Sequence, residues 1–195
     1  MRTQALPLPR PSVRAVVFAA AAAMVAAAAV ALLVGDGDRR GERTTRRVSF
    51  APAPAPPGWR ALRLPGSAER GFVPARWRVR YRSGVASAEA PDRSVVFGIA
   101  ALRSRGDALA AALRELRTRY RSVRPSAEAA LRLAGLPAVG VEVALRNRRG
   151  APLRALVIVA RGRRERYLVQ AFSRADAPAS RVRELRRALA TLRLR

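Results

Sequence analysis

Cysteine, histidine and lysine are all absent from the 195 residues of this chain. Without cysteine the chain has no disulfide, no thiolate nucleophile and no cysteine for lipidation. Without histidine it has no Ser-His-Asp triad and none of the common zinc sites. The lack of lysine removes P-loops and Schiff-base chemistry as well. Few catalytic chemistries remain, and cysteine usage does not assign the chain to a redox compartment.

Negative charge is scarce. The chain has 39 basic residues, all of them arginine, against 13 acidic ones, which gives a net charge of +26. From Gly58 onward there are 31 arginines and 10 acids, a net of +21. One interpretation is compositional, because GC-rich codons favour arginine, alanine, glycine and proline. The other is an anionic partner, since the forked donors of arginine suit phosphate and carboxylate groups and bind them in a salt-dependent way.

The segment from Ala15 to Val34 carries no charged or hydrogen-bonding side chain, and eleven of its twenty residues are alanine. At about 1.5 Å per residue a helix of this length spans about 30 Å, the hydrocarbon thickness of a bilayer. The sequence therefore predicts a single-pass protein with a basic cytoplasmic N-terminus at 1–14 and a transmembrane helix at 15–34. A cleaved signal peptide is the alternative, because Ala29-Val30-Ala31 has the form of a cleavage site.

Residues 35–57 are predicted to be a linker between this helix and a single domain at 58–195. Its first half is charged, and the alternating alanines and prolines of 51–57 favour a semi-rigid polyproline II spacer. Five arginines follow the span closely, so the arginine count does not fix the orientation in the membrane. These arginines could contact anionic lipid headgroups, or they could form a solvated basic linker.

Periodic hydrophobic patterns predict the elements of the domain. They are a strand at Trp77–Tyr81, a strand at Ser94–Leu102, a helix from the N-cap Asp107 to about Tyr120, three strands across 139–172, and a helix with Asp176 as N-cap. Two of the strands are apolar on both faces and need a layer on each side. The predicted fold class is α/β of the α+β type, an antiparallel sheet covered by helices in an α/β/α sandwich. Five aromatic residues fall on predicted core faces: Trp77, Tyr81, Phe97, Tyr120 and Phe172.

Four segments carry a resemblance to a known group: Gly71–Trp77, Leu133–Ala138, Arg166–Val169 and Leu189–Leu194. Together with the order of elements, they resemble the PsbP-like α/β/α domains, including the LpqN-type exported proteins of actinobacteria. The resemblance implies that fold, an extracytoplasmic location and a binding or accessory role without a catalytic set. The chain departs from LpqN-type lipoproteins because it has no cysteine to lipidate and is far richer in arginine.

Arginines cluster at two predicted hairpins, and these are the candidates for contact with an anionic partner: Arg146, Arg148 and Arg149 at the first, and Arg161, Arg163 and Arg164 at the second. Consecutive hairpins of a meander lie at opposite ends of a sheet, so the two clusters should not form one patch. That argues against nucleic acid as the partner, because proteins that bind it usually present one continuous basic stripe with interleaved aromatics. A solvated surface remains the alternative for both clusters.

Most carboxylates have structural explanations: helix caps for Asp107 and Asp176, partners of arginines on the exposed side of the same helix for Glu115 and Glu184, and linker charge for Asp36, Asp38 and Glu42. Glu142 is different, because it lies in a strand between Gly140 and Ala144 and opposite the valine face. Buried beside an arginine it would form a binding recess; the alternative is an exposed salt bridge. Trp59 either anchors the linker to the domain or is an exposed contact residue. No catalytic, metal-binding or cofactor-binding residues are predicted.

These patterns favour a membrane-anchored, extracytoplasmic and non-catalytic binding or accessory domain at the cell envelope. Its partners would be anionic lipid headgroups, wall polymers or an acidic protein. The alternative is a cytoplasm-facing, membrane-tethered domain that binds nucleic acid or another polyanion. A hydrolase that uses carboxylates alone is a third hypothesis, and it requires two acids that converge in one cleft.

Overall fold

A computed structural model of the protein describes residues 49–102 and 106–195. The elements in this part follow one another in this order: β1 (Ser49–Phe50), β2 (Trp59–Arg63), β3 (Arg70–Pro74), β4 (Arg78–Arg82), β5 (Val85–Glu89), β6 (Val95–Leu102), α1 (Ala108–Arg119), β7 (Ser122–Pro125), β8 (Ala129–Leu133), β9 (Leu136–Arg146), β10 (Pro152–Arg161), β11 (Arg166–Arg174) and α2 (Ala179–Ala190). The predicted transmembrane helix at 15–34 lies outside the described residues. Within them, no helix is long and apolar enough to cross a membrane.

Nine of these strands form one sheet in the order β1-β8-β9-β10-β11-β6-β5-β4, and β7 pairs with the other end of β9. All pairs are antiparallel except β1 with β8. The predicted meander is confirmed as β9, β10 and β11. The strands β2 and β3 form a separate hairpin. The strands β2, β3, β5, β7 and β8 were not predicted, because four or five residues without strict alternation of large apolar and polar side chains give no clear signal in the sequence.

The two helices pack on opposite faces of the sheet, as the alternation along β10 shows. Ala155 and Val157 of β10 pack in the cluster that contains α1. Ile158 and Ala160 pack in the cluster that contains α2 and the β2–β3 hairpin. Both faces of β10 are apolar because a packed layer covers each of them, as predicted. The domain is an α+β fold, a mostly antiparallel sheet with a helix on either face.

Helix α1 begins as predicted. Asp107 is its N-cap, and its Oδ1 accepts a hydrogen bond from the backbone N–H of Ala110 at 2.9 Å. Ala112 and Leu116 are buried against the sheet. On the outer side Arg119 Nε donates to Glu115 Oε1 at 2.7 Å, an i,i+4 pair.

Helix α2 differs from the prediction at its start. Asp176 is not the N-cap; that position belongs to Pro178, which has no side chain to cap with. The carboxylate of Asp176 instead pairs with the guanidinium of Arg174, whose Nε donates at 2.8 Å. A charge-assisted pair with a neighbour two residues away has displaced the capping bond. The apolar side of the helix, with Leu185 and Leu189, is buried as predicted.

The domain begins earlier than the predicted boundary at 58, because the second half of the predicted linker packs on it. Phe50 pairs with Leu133 of β8. The N–H of Ala53 donates to the carbonyl of Ala190 at 2.9 Å, and Arg193 donates to the carbonyl of Ala53 at 2.7 Å. Each alanine between the prolines keeps its own N–H, and at Ala53 that donor caps the end of α2. Residues 49–57 are therefore part of the domain, and half-buried Trp59 packs on its core.

The prediction for Tyr81 is wrong, because 54 % of this residue is exposed. It belongs to β4, the last strand of the sheet in the described part of the chain, where the helical layer no longer covers it. Trp77, just before β4, is fully buried. The alternating pattern is correct for the strand, but the core ends within it.

The β8–β9 hairpin turns on two residues with positive φ, Ala134 at 54° and Gly135 at 82°. Such a type I′ turn suits Asn-Gly, whereas alanine in this conformation is strained by about 1–2 kcal/mol. We expect Ala134→Asn to raise the free energy of unfolding by about 1 kcal/mol in urea titrations. Ala144→Gly, in the ordinary extended part of β9, is the control and should lower it by about 0.5–1 kcal/mol. No gain from Ala134→Asn would contradict the strain.

Candidate functional site

The first predicted arginine cluster lies on the β9–β10 hairpin, where Arg146, Arg148 and Arg149 are exposed. The turn is built by Asn147, whose Oδ1 accepts the N–H groups of Arg149 at 3.0 Å and Ala151 at 2.9 Å. Arg146 Nη1 donates to the carbonyl of Gly150 at 3.1 Å, which holds that side chain along the hairpin. The hairpin is thus ordered by its own polar groups.

The second cluster lies on the β10–β11 hairpin, where Arg161, Arg163 and Arg164 are also exposed. Strand β10 is 10 residues long and has one hairpin at each end, so the clusters are about 30 Å apart at the rise of a strand. The structure does not bring the predicted cluster residues together. A single ligand of ordinary size cannot contact both groups.

Glu142 is exposed on β9 and lies beside Leu156 in the register of β10. Its backbone carbonyl accepts the N–H of Ser126 at 2.8 Å, a contact that joins β9 to the β7–β8 connection. The carboxylate is not covered by α2, so the binding recess predicted for a buried Glu142 does not form. Glu142 is exposed, and the salt bridge of the alternative stays a prediction.

A third arginine group lies on β4, where Arg78, Arg80 and Arg82 occupy alternate positions and are all exposed. Alternate residues of a strand share one face, so these three side chains form a row with spacings of about 7 Å. We call this group the β4 arginine row. An acid on the neighbouring strand β5, Glu89, lies directly opposite Arg78. Its Oε2 lies 3.8 Å from Arg80 Nη2, and the Arg80 side chain is 54 % exposed.

In the sequence, Trp77, Val79 and Tyr81 alternate with arginines, a pattern that predicts a strand with one solvent-exposed face but no binding site. This strand differs from the other arginine-containing strands in its position at the end of the sheet. That position depends on which strands pair, and no local pattern contains it.

A network of ion pairs lies at the start of α2, where the half-buried Arg181 lies between two carboxylates. Arg181 Nη1 donates to Glu184 Oε2 at 3.0 Å, and its Nε donates to Asp92 Oδ2 at 3.2 Å. Glu184 also accepts from Arg76 and, at 3.2 Å, from the indole Nε1 of Trp77. The prediction placed Glu184 on an exposed helix face, but it is half-buried and joins α2 to the strand that begins after Trp77.

This network brings two carboxylates together, as a carboxylate hydrolase would require, but both are paired with Arg181. Burial raises the pKa of Asp92, yet hydrogen bonds from Ser94 and Arg181 outweigh it and leave the pKa below its usual value. A general acid needs a carboxyl whose pKa is raised. The hydrogen bond to Glu184 raises the pKa of Arg181. The arrangement favours a structural brace. Nowhere in the described residues do three acidic side chains group as metal ligands would.

Gln170 of β11 is a large polar side chain in the core, and none of its surface is exposed. Neither its Nε2 nor its Oε1 has a hydrogen-bond partner in the described part of the structure. The residue lies between Val157 on β10 and Gly98 on β6, on the α1 side of the sheet. A buried amide without partners is costly, and native cores keep few of them.

Tyr167 ties the chain segment after α2 to the hairpins. Its hydroxyl contacts Glu69 Oε1 at 3.1 Å and the carbonyl of Arg195 at 3.0 Å. Burial, followed by the hydrogen bond to Glu69, raises the pKa of Tyr167 to about 12. Hydrogen bonds, first from Ser67, lower the pKa of Glu69. The Tyr167–Glu69 contact therefore favours a neutral phenol and a charged carboxylate.

These pKa shifts predict that the free energy of unfolding does not change with pH around neutrality. The lowered pKa values of Glu69 and Asp92 add stability above their unfolded values near pH 4, and it is lost as the pH falls further. The raised pKa of Tyr167 adds stability below pH 10, and it is lost as the pH rises toward 12. Since the chain has no histidine, cysteine or lysine, no side chain with an ordinary pKa titrates between about pH 5 and 9.

Urea titrations at about pH 5.5, 7 and 8.5 should therefore give the same free energy of unfolding within error. Above pH 10 it should fall, and Tyr167→Phe should reduce that alkaline fall. A sloping stability between pH 5.5 and 8.5 would contradict the prediction.

No protein-family model matches the sequence, and no curated protein matches it. Solved structures that this chain is distantly similar to include a protein of unknown function from Pseudomonas aeruginosa, 17% identical, over 70% of this chain and 97% of that one, with a TM-score of 0.46. The Ran-binding protein Mog1p of Saccharomyces cerevisiae is 12% identical over 68% of this chain and 87% of its own, with a TM-score of 0.43.

LpqN of Mycobacterium tuberculosis, a protein involved in cell envelope biogenesis, is 17% identical. The match covers 72% of this chain and 82% of that one, with a TM-score of 0.37. All three TM-scores are below 0.5, so the likeness is distant. LpqN is thus among the distant structural neighbours, and the resemblance to the wider PsbP-like group stays a prediction.

Proposed function

We propose that this protein is a membrane-anchored, extracytoplasmic domain at the cell envelope that binds an anionic partner and works without catalysis. The observation that supports a binding role is that many arginines of the described domain are exposed. Arginines on β4 and on two hairpins face solvent, while the carboxylates Glu184, Asp92 and Asp176 are already paired with other arginines. The unbalanced charge is therefore available to a partner.

The anchor is proposed from the sequence alone, from the uncharged segment 15–34. With such a span, the basic segment 1–14 would stay in the cytoplasm and the domain would follow on the other side. Residues 49–57 pack on the domain, so at most residues 35–48 separate the membrane from the folded part. A tether this short keeps the domain within reach of headgroups and of envelope polymers or proteins.

The non-catalytic role is proposed because few reactive groups remain once histidine, cysteine and lysine are absent. The two carboxylates that do converge, Asp92 and Glu184, share Arg181. Replacement of Asp92 should then affect stability rather than any turnover.

The test is protease treatment of intact cells that produce the chain with a C-terminal tag. We expect the tag to be digested from outside, the undigested protein to have its full length, and the protein to stay in the membrane after alkaline extraction. A tagged cytoplasmic protein, protected until lysis, is the control. Protection of this chain in intact cells would overturn the proposal and favour the cytoplasm-facing polyanion-binding alternative. A shortened protein released from the membrane would mean that the N-terminal segment is a cleaved signal.

A further inference from the structure

Strand β4 has a free edge in the part of the chain that the structure describes. It pairs with β5 along one side, from Arg78 with Glu89 to Arg82 with Val85, and no described strand pairs with its other side. Along an antiparallel edge strand, alternate residues direct their N–H and C=O groups away from the sheet. The edge can therefore accept the backbone of another extended segment.

The side chains on this edge have a period of two residues. On one face lies the β4 arginine row, and on the other face lies Tyr81, which is 54 % exposed. Glu89 of β5 lies 3.8 Å from Arg80 of this row. A pair this exposed is worth little and leaves the arginines able to meet other carboxylates.

We propose that the free edge of β4 binds an extended acidic peptide segment of a partner protein, which adds to the sheet as a further strand. On an added strand, residues two apart share a face and are about 7 Å apart, the same repeat as the β4 arginine row. Glutamate or aspartate at every second position would place one carboxylate near each arginine. The inference rests on the proposed function only in taking the partner to be anionic.

The interleaved positions of the peptide would point to the other face, the side of Tyr81. Aromatic and β-branched side chains pack well across neighbouring strands, so threonine or valine suits those positions. The edge thus selects a pattern in which acidic residues alternate with β-branched ones. A block of consecutive acids would place half of its carboxylates on the wrong face.

A second copy of this chain is disfavoured as the occupant. Two β4 edges paired together would bring arginine rows side by side, and like charges on neighbouring strands repel. An acidic strand would instead place opposite charges on neighbouring strands, and these attract each other. A phosphodiester polymer would also be attracted to the row, but it has no peptide groups to pair with the backbone of the edge.

The test measures fluorescence anisotropy of labelled peptides with the full chain purified in detergent, at about 0.15 M salt. One peptide alternates glutamate with threonine. Its control has the same composition with all glutamates in one block. We expect the alternating peptide to bind at least about tenfold more tightly. Methylation of the amide nitrogens on one edge of the alternating peptide should remove this advantage, because that edge would no longer donate to β4.

The matched variants are two triple substitutions that remove the same charge. Arg78→Gln, Arg80→Gln and Arg82→Gln together should weaken binding of the alternating peptide about tenfold or more. Arg114→Gln, Arg117→Gln and Arg124→Gln, at exposed positions of α1 and β7 that have no part in either proposed contact, should change it by less than about twofold. Circular dichroism and a urea titration of each variant check that it is folded.

Three outcomes would overturn the inference: equal binding of the two peptides, equal loss in the two triple variants, or tighter binding of duplex DNA or polyphosphate than of the alternating peptide. Each is independent of the protease experiment. Loss of the extracytoplasmic location would leave the peptide result standing. Loss of the peptide preference would leave the envelope location standing.

Discussion

Trp77→Ala should lower the free energy of unfolding by about 3–5 kcal/mol, because the substitution leaves a large cavity in the core. The indole is fully buried and packs edge-to-face on Phe97, with ring centroids 6.5 Å apart. Its Nε1 donates to Glu184 Oε2 at 3.2 Å, which joins the strands to α2. Few domains have more than about 5–15 kcal/mol of stability in total, so this change should remove a large part of it. Urea titration followed by circular dichroism measures the effect.

Two variants separate the causes of that loss. Trp77→Phe keeps most of the apolar volume but removes the indole donor, and it should cost about 1–2 kcal/mol less than Trp77→Ala. Trp59→Ala removes an indole that is only half-buried and should also cost less. If Trp59→Ala were as damaging as Trp77→Ala, the β2–β3 hairpin rather than the buried indole would be the centre of this core.

Gln170→Met should raise the free energy of unfolding by about 1–3 kcal/mol, an unusual direction for a core substitution. The side chain has no exposed surface, and its two polar atoms find no partner within the described residues. Methionine has a similar length and flexibility and carries no group that needs a hydrogen bond. Thermal and urea unfolding of the two proteins measure the difference.

Leu168→Gln is the matched control, because it places a second amide on the same face of β11. It should destabilise the domain by a similar or larger amount. A loss of stability in Gln170→Met would contradict the prediction, and it would mean that the amide has a hydrogen-bond partner in the folded protein. Gly98 and Ser87 lie in the same row of the sheet, so that partner would then be sought beside them.

The sequence predicted the elements whose signals are local. Helix α1 was predicted with its cap, because Asp107 and the apolar repeat after it are all within one segment. The strands β6, β10 and β11 were predicted because their apolar runs are long enough to be distinguished from loops. The predicted location of the two hairpin clusters at opposite ends of the sheet follows from the meander, and the register of β10 agrees with it.

Predictions that depended on distant partners were less accurate. Asp176 was predicted as a cap, but Arg174 takes its carboxylate. Glu184 was predicted to pair only along its own helix, but it also contacts Arg76 and Trp77, more than a hundred residues earlier. The linker was predicted to end at 57, but Phe50 pairs with β8. In each case a polar group had several possible partners, and only the folded arrangement selects one.

By itself the sequence determined what this protein lacks and where its regular segments lie. Missing residue types exclude whole chemistries, and hydrophobic periodicity is a local property that follows from the geometry of helices and strands. Only the tertiary structure decided, for residues 49–102 and 106–195, that β4 is an edge with a row of exposed arginines, that Tyr81 is exposed and that Gln170 is buried without a hydrogen-bond partner. These features depend on which strands pair and where the helical layers end, and such contacts join residues far apart in the chain.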